Sequence, residues 1–171
     1  MNGPQAIEPY GFPDDPMPEV RALSAHLACI KGDRPFPRRA DIRPEELPPS
    51  VFPRLFLVSI EKAPVGAGDV RRRYFYRIIG DRITHATGAN WTGRYLDEVV
   101  ERSLGETIAP YYDEAIAARR PIVQNYLFKS LRYKEPNPSL RYLFPLSDDG
   151  ERIDGLLGLF LILEGPWARE K

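Results

Sequence analysis

One stretch between residues 74 and 97, YFYRIIGDRITHATGANWTGRYLD, most constrains what this chain can fold into. Its aromatic and apolar residues predict a strand that ends at Gly80. The residues that follow suffice for about two helical turns, and Gly88 stands where a left-handed residue would end that helix. Asn90 to Gly93 then predict a turn. A strand that passes directly into a short helix and a reversal indicates helices packed across a sheet.

The balance of charges excludes several classes of function. Lys and Arg together number 24, as do Asp and Glu, so the formal net charge is zero. This composition gives no basic surface for nucleic acid or for an acidic membrane. No run of 18 apolar residues and no secretory leader pattern is found, so a soluble, cytoplasmic protein is predicted. Cys29 is the single cysteine, which rules out an internal disulfide and a cysteine-rich metal site.

The first 44 residues predict an extension outside the main domain. Asp15 followed by Pro16 resembles a helix start, and an amphipathic helix is predicted over about residues 16–31, followed by a proline-rich linker. Its narrow apolar stripe fits either packing within the chain or a homodimer contact, and both interpretations stay open. The predicted dimer contact consists of Val20, Leu23, Leu27 and Ile30.

Strand patterns begin at Leu55, where two runs predict an antiparallel hairpin with a moderately long connection. In its second strand, side-chain alternation predicts Tyr74, Tyr76 and Ile78 on one face.

A longer helix follows, for which two starts compete. A capping box of Ser103 and Glu106 places Pro110 well inside the helix, whereas a start at Thr107 leaves Pro110 in the first turn. The later start is preferred on that ground. The last third predicts three strands, with a hairpin turn at residues 148–150 between the final two.

Three segments carry a family resemblance: YRIIG at Tyr76–Gly80, TGR at Thr92–Arg94, and PLSDDG at Pro145–Gly150. With this order of elements, the chain resembles the PAS fold, and specifically a small bacterial family of PAS-like domains. The resemblance covers residues 45–165 and leaves 166–171 as a tail. It implies an α+β fold, in which a five-stranded antiparallel sheet carries helices on one face, plus the N-terminal amphipathic helix.

The resemblance also implies a cavity between the sheet and the helices, in which PAS domains bind a small ligand or simply pack side chains. Tyrosine and tryptophan combine an apolar ring with a polar tip and so suit a ligand pocket, although core packing is the preferred explanation for any single ring. Arg77 and Arg141 alternate with aromatic residues, which predicts that they point away from the enclosed face. The candidate ligand-binding residues are Tyr76, Trp91, Tyr111, Tyr112, Tyr126 and Tyr142.

No cofactor can be assigned from the sequence. Light-sensing PAS domains place a reactive cysteine after an asparagine, and here Trp91 occupies that position. Haem-binding PAS domains take their ligand from the longer helix, which has no histidine between residues 107 and 119. His85 is therefore interpreted as a surface or helix-capping residue. The two histidines, His26 and His85, also lack the spacing of a metal site.

The sequence thus predicts a non-catalytic sensory or interaction module that binds a small ligand and signals through a homodimer or an unidentified signalling protein. A structural adaptor with a filled cavity is the first alternative, and a small-molecule enzyme is the second. An enclosed core would favour the adaptor, whereas an open cavity with a desolvated carboxylate or histidine would favour the enzyme.

Overall fold

The computed structural model describes residues 10–99, 102–129 and 136–163, apart from the side chains of residues 102–107 and of Tyr126. The described part contains a sheet, three α-helices and short 3₁₀ turns, one of them at Leu96–Glu98. In chain order the elements are α1 (Pro18–Lys31), β1 (Leu55–Val65), β2 (Asp69–Ile79), α2 (Asp81–Thr87), α3 (Arg102–Ala118), β3 (Ile122–Phe128), β4 (Asn137–Leu146) and β5 (Gly155–Ile162).

The five strands form one sheet in the order β2-β1-β5-β4-β3, and every neighbouring pair is antiparallel. β1 and β5 are therefore neighbours at the centre, although they lie at opposite ends of the domain sequence. The helices between β2 and β3 must cross the sheet because those two strands form its opposite edges. The predicted α+β fold class with a five-stranded antiparallel sheet is confirmed.

The β1–β2 hairpin differs from its prediction in two respects. Its connection is short, at residues 66–68, because Val65 already pairs with Asp69. A β-bulge also breaks the alternation: Val58 pairs with Tyr76, but the next residue back, Leu57, pairs with Ile78. One extra residue in β2 reverses the side of the sheet to which the following side chains point. Ile79, and not Ile78, therefore shares a face with Tyr76.

α3 begins earlier than the preferred prediction. The helix starts at Arg102, so Pro110 lies in its interior, as the rejected start required. The proline removes one backbone donor, but the helix continues on both sides of it. The side chains of the proposed capping box lie outside the described part of the chain.

α1 begins at Pro18 after a Met17 N-cap, two residues later than predicted. Asp15 still contributes to the start, because its carboxylate accepts a 2.9 Å hydrogen bond from the Met17 amide.

The apolar stripe of α1 packs within the chain. Val20, Leu23 and Leu27 are fully buried, and Ile30 is partly buried against the same core. This packing differs from the predicted dimer contact: three of the four residues have no surface left to offer to a partner.

The segment before α1 covers one face of the sheet, which we call the N-terminal face and which carries Tyr142 and Phe144. Phe12 makes edge-to-face contacts with both rings, at centroid distances of 5.2 and 5.9 Å. The Tyr10 hydroxyl donates to the carbonyl of Pro145, and the Tyr142 hydroxyl donates to Asp15 over 2.8 Å. These contacts fix the N-terminal segment and the start of α1 to β4.

The turn between β4 and β5 is longer than the predicted tight hairpin and spans residues 147–154. Its acidic residues are used by the backbone: the Asp149 carboxylate accepts hydrogen bonds of 2.8 Å from the amides of Glu151 and Arg152. These donors hold the pKa of Asp149 below its usual range. The Asp-Asp-Gly sequence therefore stabilises the loop conformation.

Candidate ligand cavity

The opposite face of the sheet, which we call the cavity face, is covered by α2 and α3 and encloses a cavity of about 330 Å³. Small-molecule sites in proteins start at roughly this size, and a cavity of ~150 Å³ already binds benzene. The wall is mainly aromatic and aliphatic. Its described residues are Phe56, Tyr76, Ile79, Ile83, Thr87, Trp91, Ile108, Tyr111, Tyr112, Leu127, Phe128, Lys129, Arg141 and Phe160.

A glycine in β5 makes room for the floor of the cavity. The ring of Phe56 lies directly over Gly158, where an added Cβ would stand 1.9 Å from the ring's Cζ atom. No side chain fits at this position without displacing the ring. Phe56 in turn packs against Tyr76 and Tyr112, with ring centroids 6.4 and 6.0 Å away.

Two tyrosines place hydroxyl groups in this aromatic wall. The hydroxyls of Tyr76, from β2, and Tyr112, from α3, are 2.8 Å apart and form a buried hydrogen bond. Tyr74 packs edge-to-face on Tyr112 and bonds to Asp113. Burial raises the pKa of Tyr74, and the hydrogen bond to Asp113 raises it further. The bonds link β2 to α3 and fix the ring positions.

Trp91 lies in the cavity wall and carries a buried indole N–H. The short helix α2 ends at Gly88, which is left-handed (φ 80°, ψ 6°) as predicted, and the following turn brings Trp91 against Tyr76 at 5.6 Å. The indole is only 6% exposed, and its buried Nε1 has no hydrogen-bond partner among the residues that the structure describes. A buried donor left unsatisfied costs about 1–3 kcal/mol.

Arg141 brings a positive charge to the cavity wall. The residue is 5% exposed, and its guanidinium lies 5.6 Å from the ring centroid of Tyr111 and 5.9 Å from that of Tyr112. The prediction that Arg141 points away from the enclosed face is therefore wrong. The aromatic residues beside it in β4 face the N-terminal segment, because both faces of the sheet are covered.

Arg77, by contrast, lies away from the cavity, as predicted. Its guanidinium contacts the ring of Phe75 at 4.6 Å, bonds to Ser59 and pairs with Glu61 at 3.6 Å. The two strand arginines thus occupy different environments, although their sequence contexts look alike.

The mouth of the cavity lies near the end of β3. Leu127 is 64% exposed and Lys129 is also exposed, whereas Tyr111 is half-buried beside them. The wall residues on α2, β1 and β5 are buried.

Four of the six predicted ligand-binding residues line the cavity: Tyr76, Trp91, Tyr111 and Tyr112. Tyr142 does not, because it lies on the N-terminal face, and the side chain of Tyr126 lies outside the described part. That the four residues bind a ligand stays a prediction. Sequence reasoning missed the aliphatic wall from α2 and the two cations, Arg141 and Lys129. Arg141 lies two residues before Leu143, which pairs with Gly158, so both side chains point to the cavity face.

Among the described lining residues there is no Asp, Glu, His or Cys. His85 is exposed on α2. Within the described ranges, no group of three His, Cys, Asp or Glu residues could hold a metal ion. No helix described here has the length and apolar character needed to cross a bilayer.

Comparison with known proteins gives structural neighbours only. No family model matches the chain, and no curated protein does. The PAS domain of BvgS from Bordetella pertussis is similar over 67% of this chain and 79% of that chain, with 13% identity and a TM-score of 0.49. An RNA-binding Light-Oxygen-Voltage receptor is similar over 64% of this chain and 28% of that chain, with 18% identity and a TM-score of 0.41. The description of the fold therefore rests on the strand order and helix placement of this chain itself.

Proposed function

We propose that this chain is a PAS-like sensory or interaction module that binds a small ligand in the cavity and passes the change to a partner. The observation that carries the proposal is the cavity of about 330 Å³ between the sheet and the helices, whose described wall is mainly aromatic and aliphatic. A space of this size, mostly apolar with a few polar groups, is typical of small-molecule sites.

The first alternative, a structural adaptor with a filled cavity, is less well supported. Its core would be packed by its own side chains on both faces of the sheet, yet the cavity face leaves space. The second alternative, an enzyme, would need an acid or base in contact with its substrate. The described wall offers hydroxyls and cations but no carboxylate or imidazole.

β4 provides a direct route from the cavity to the N-terminal helix. Arg141 lies in the cavity wall, and the next residue, Tyr142, bonds to Asp15 on the other face. Asp15 in turn accepts from the backbone at the start of α1. A ligand that moves Arg141 would therefore move the contact that positions α1, and the exposed side of α1 would present the change to a partner.

The test is native mass spectrometry, paired with an absorbance spectrum, of the chain purified from its own host. An additional mass that denaturation releases is expected. The variant Ile108→Phe adds volume to the cavity wall and is expected to lose that mass. Val123→Phe, at a 43% exposed position on β3, is the matched control and should retain it.

Two outcomes would contradict the proposal. One is an apo mass for the wild-type chain together with no binding from a small-molecule library. The other is an equal loss of the additional mass in Val123→Phe and Ile108→Phe, which would place the bound molecule outside the cavity.

A further inference from the structure

We infer that β3 forms an interface with a second copy of this chain. The two β3 strands pair antiparallel along their outer edges, with a two-fold axis beside Asn125, and join the two five-stranded sheets into one continuous sheet. The inference goes beyond the proposed function, and it does not depend on a ligand in the cavity.

Within the described residues, the outer edge of β3 is unpaired. β3 is the last strand in the sheet order and pairs with β4 on its inner side. No backbone hydrogen bond from elsewhere in the described chain reaches its outer side. The N–H and C=O groups of alternate residues therefore face outwards, and a free edge of this kind is a template for another strand.

The opposite edge of the sheet, at β2, is protected. The amide of Tyr76 donates to the carbonyl of Arg94 over 3.0 Å, and the carbonyl of Tyr76 accepts from the amide of Gly93 over 2.8 Å. Further along β2, residues 71–73 are all arginine. Covering loops and charged side chains are the usual means by which sheets prevent pairing at an edge.

The sequence of β3 lacks such protection. The segment Ile122–Phe128 reads IVQNYLF and contains no charged residue, proline or glycine. Val123 is 43% exposed and Leu127 is 64% exposed, and Asn125 between them is exposed as well. These three side chains share the N-terminal face of the sheet, because Val123 pairs with Tyr142 of β4. β3 therefore leaves two large apolar side chains in water beside a free edge.

The order of the exposed side chains is self-complementary. In an antiparallel pair centred on Asn125, Val123 of each copy lies opposite Leu127 of the other, and the two asparagines face each other. Cross-strand pairs of matching character stabilise a sheet. A shift of two residues would instead place Val123 or Leu127 opposite Asn125, so the sequence favours the centred register. A two-fold interface requires this symmetry, which is why a second copy is the partner that the strand fits.

The charge that follows the strand does not oppose this register. Lys129 of one copy lies opposite Pro121 of the other. The two copies of Lys129 stand eight residue positions apart along the paired strands, which is roughly 26 Å and well beyond the Debye length of about 10 Å at 0.1 M salt. Between residues 121 and 129, no like charges face each other in the centred register.

The test is sedimentation equilibrium of the full chain over a range of protein concentrations, where a monomer–dimer equilibrium is expected. Asn125→Lys places two like charges directly opposite each other on the axis and should weaken the dimer by about 10-fold or more. Because Asn125 is exposed, the variant should fold as the wild type does. Val70→Lys is the matched control: it adds the same charge at a 59% exposed position on the edge strand β2 and should leave the dimer unchanged.

A mixing experiment tests the position of the axis. Asn125→Asp alone should weaken the dimer as Asn125→Lys does, because two carboxylates then face each other. An equal mixture of the two variants should form a heterodimer in which a lysine faces an aspartate, and native mass spectrometry separates it from both homodimers by mass. A mixture with no excess of heterodimer would overturn the pairing about Asn125.

Hydrogen exchange of the wild-type chain gives a readout that needs no variant. The outward-facing amides of β3 should exchange more slowly as the protein concentration rises, whereas the amides bonded to β4 should not change. Exchange that stays the same at every outward-facing amide while the mass becomes dimeric would overturn the inference.

Two further outcomes would also overturn it. One is a monomeric mass at every concentration, and the other is an equally strong dimer in Asn125→Lys, which would place the contact elsewhere on the chain. Neither affects the proposed function, because retention of a small ligand is measured separately by the additional mass in the native spectrum.

Discussion

The two faces of the sheet are built from the same strands but are covered differently. On the N-terminal face, Phe12 and Tyr10 contact the side chains and backbone of β4, and three of the four residues of the α1 stripe are fully buried. On the cavity face, α2 and α3 cover the strands, and a space of about 330 Å³ remains between them. A filled layer positions the sheet, whereas a layer with space inside has room for a second molecule.

β4 shows the difference at neighbouring positions. Tyr142 contributes its ring to the filled layer and its hydroxyl to Asp15, while Arg141 contributes a charge to the cavity wall. Because side chains alternate along a strand, a one-residue step separates a structural contact from a candidate site. The comparison predicts that the two faces will respond differently to changes in side-chain volume.

The largest expected effect comes from removing volume on the N-terminal face. Leu23→Ala should lower the free energy of unfolding by about 3 kcal/mol, the usual cost of a leucine cavity in a core, because Leu23 is fully buried. Urea unfolding measures the loss. Leu127→Ala, at a 64% exposed leucine, should change the stability by less than about 0.5 kcal/mol.

This pair also separates packing within the chain from a dimer contact. If Leu23 acts within its own chain, its loss should be the same at every protein concentration. A loss that grows on dilution, together with a dimeric mass by light scattering, would restore the dimer interpretation of the α1 stripe.

A smaller effect is expected from adding volume, and it should differ between the faces. Leu27→Phe on the filled face should cost about 2 kcal/mol, as overpacked cores do, because Leu27 is fully buried. Ile108→Phe has free space beside it and should change the unfolding free energy by less than about 0.5 kcal/mol. Equal costs for the two variants would mean that the cavity face is as tightly filled as the other.

The sequence predicted most of the framework because the relevant signals are local. Side-chain alternation and glycine at a left-handed position are properties of a few consecutive residues, and they placed the strands and α2. The predicted start of α3 was wrong because the prediction assumed that proline does not occur inside a helix, whereas the folded chain has Pro110 in the helix interior.

The candidate site was predicted only in part because the facing of a strand is not local. Because of the bulge opposite Leu57 and Val58, Ile79 rather than Ile78 lines the cavity beside Tyr76. Tyr142 and Arg141 were assigned to the wrong faces on the assumption that aromatic residues mark the enclosed one. With both faces covered, composition cannot tell them apart, and only the contact of Tyr142 with the N-terminal segment decides it.

The smallest expected effect concerns pH and the filled face. Burial raises the pKa of Tyr10, whose hydroxyl donates to Pro145. The folded chain therefore keeps this phenol neutral above about pH 10, where an unfolded tyrosine ionises. The stabilisation from Tyr10 is full below that pH and is lost progressively as the pH rises further. Tyr10→Phe should cost about 1 kcal/mol at pH 8 from the lost hydrogen bond.

The same variant should flatten the alkaline part of the stability curve, because it removes one group that binds a proton more tightly in the folded state. Unfolding of both chains in urea between pH 8 and pH 11 measures this. The gap between wild type and Tyr10→Phe is expected to narrow as the pH rises. Tyr74 and Tyr142, whose pKa values burial also raises, remain in both chains and cancel in the comparison. A gap that stays constant to pH 11 would show that the Tyr10 phenol ionises as readily in the folded chain as in the unfolded one, and that the N-terminal face is open to water.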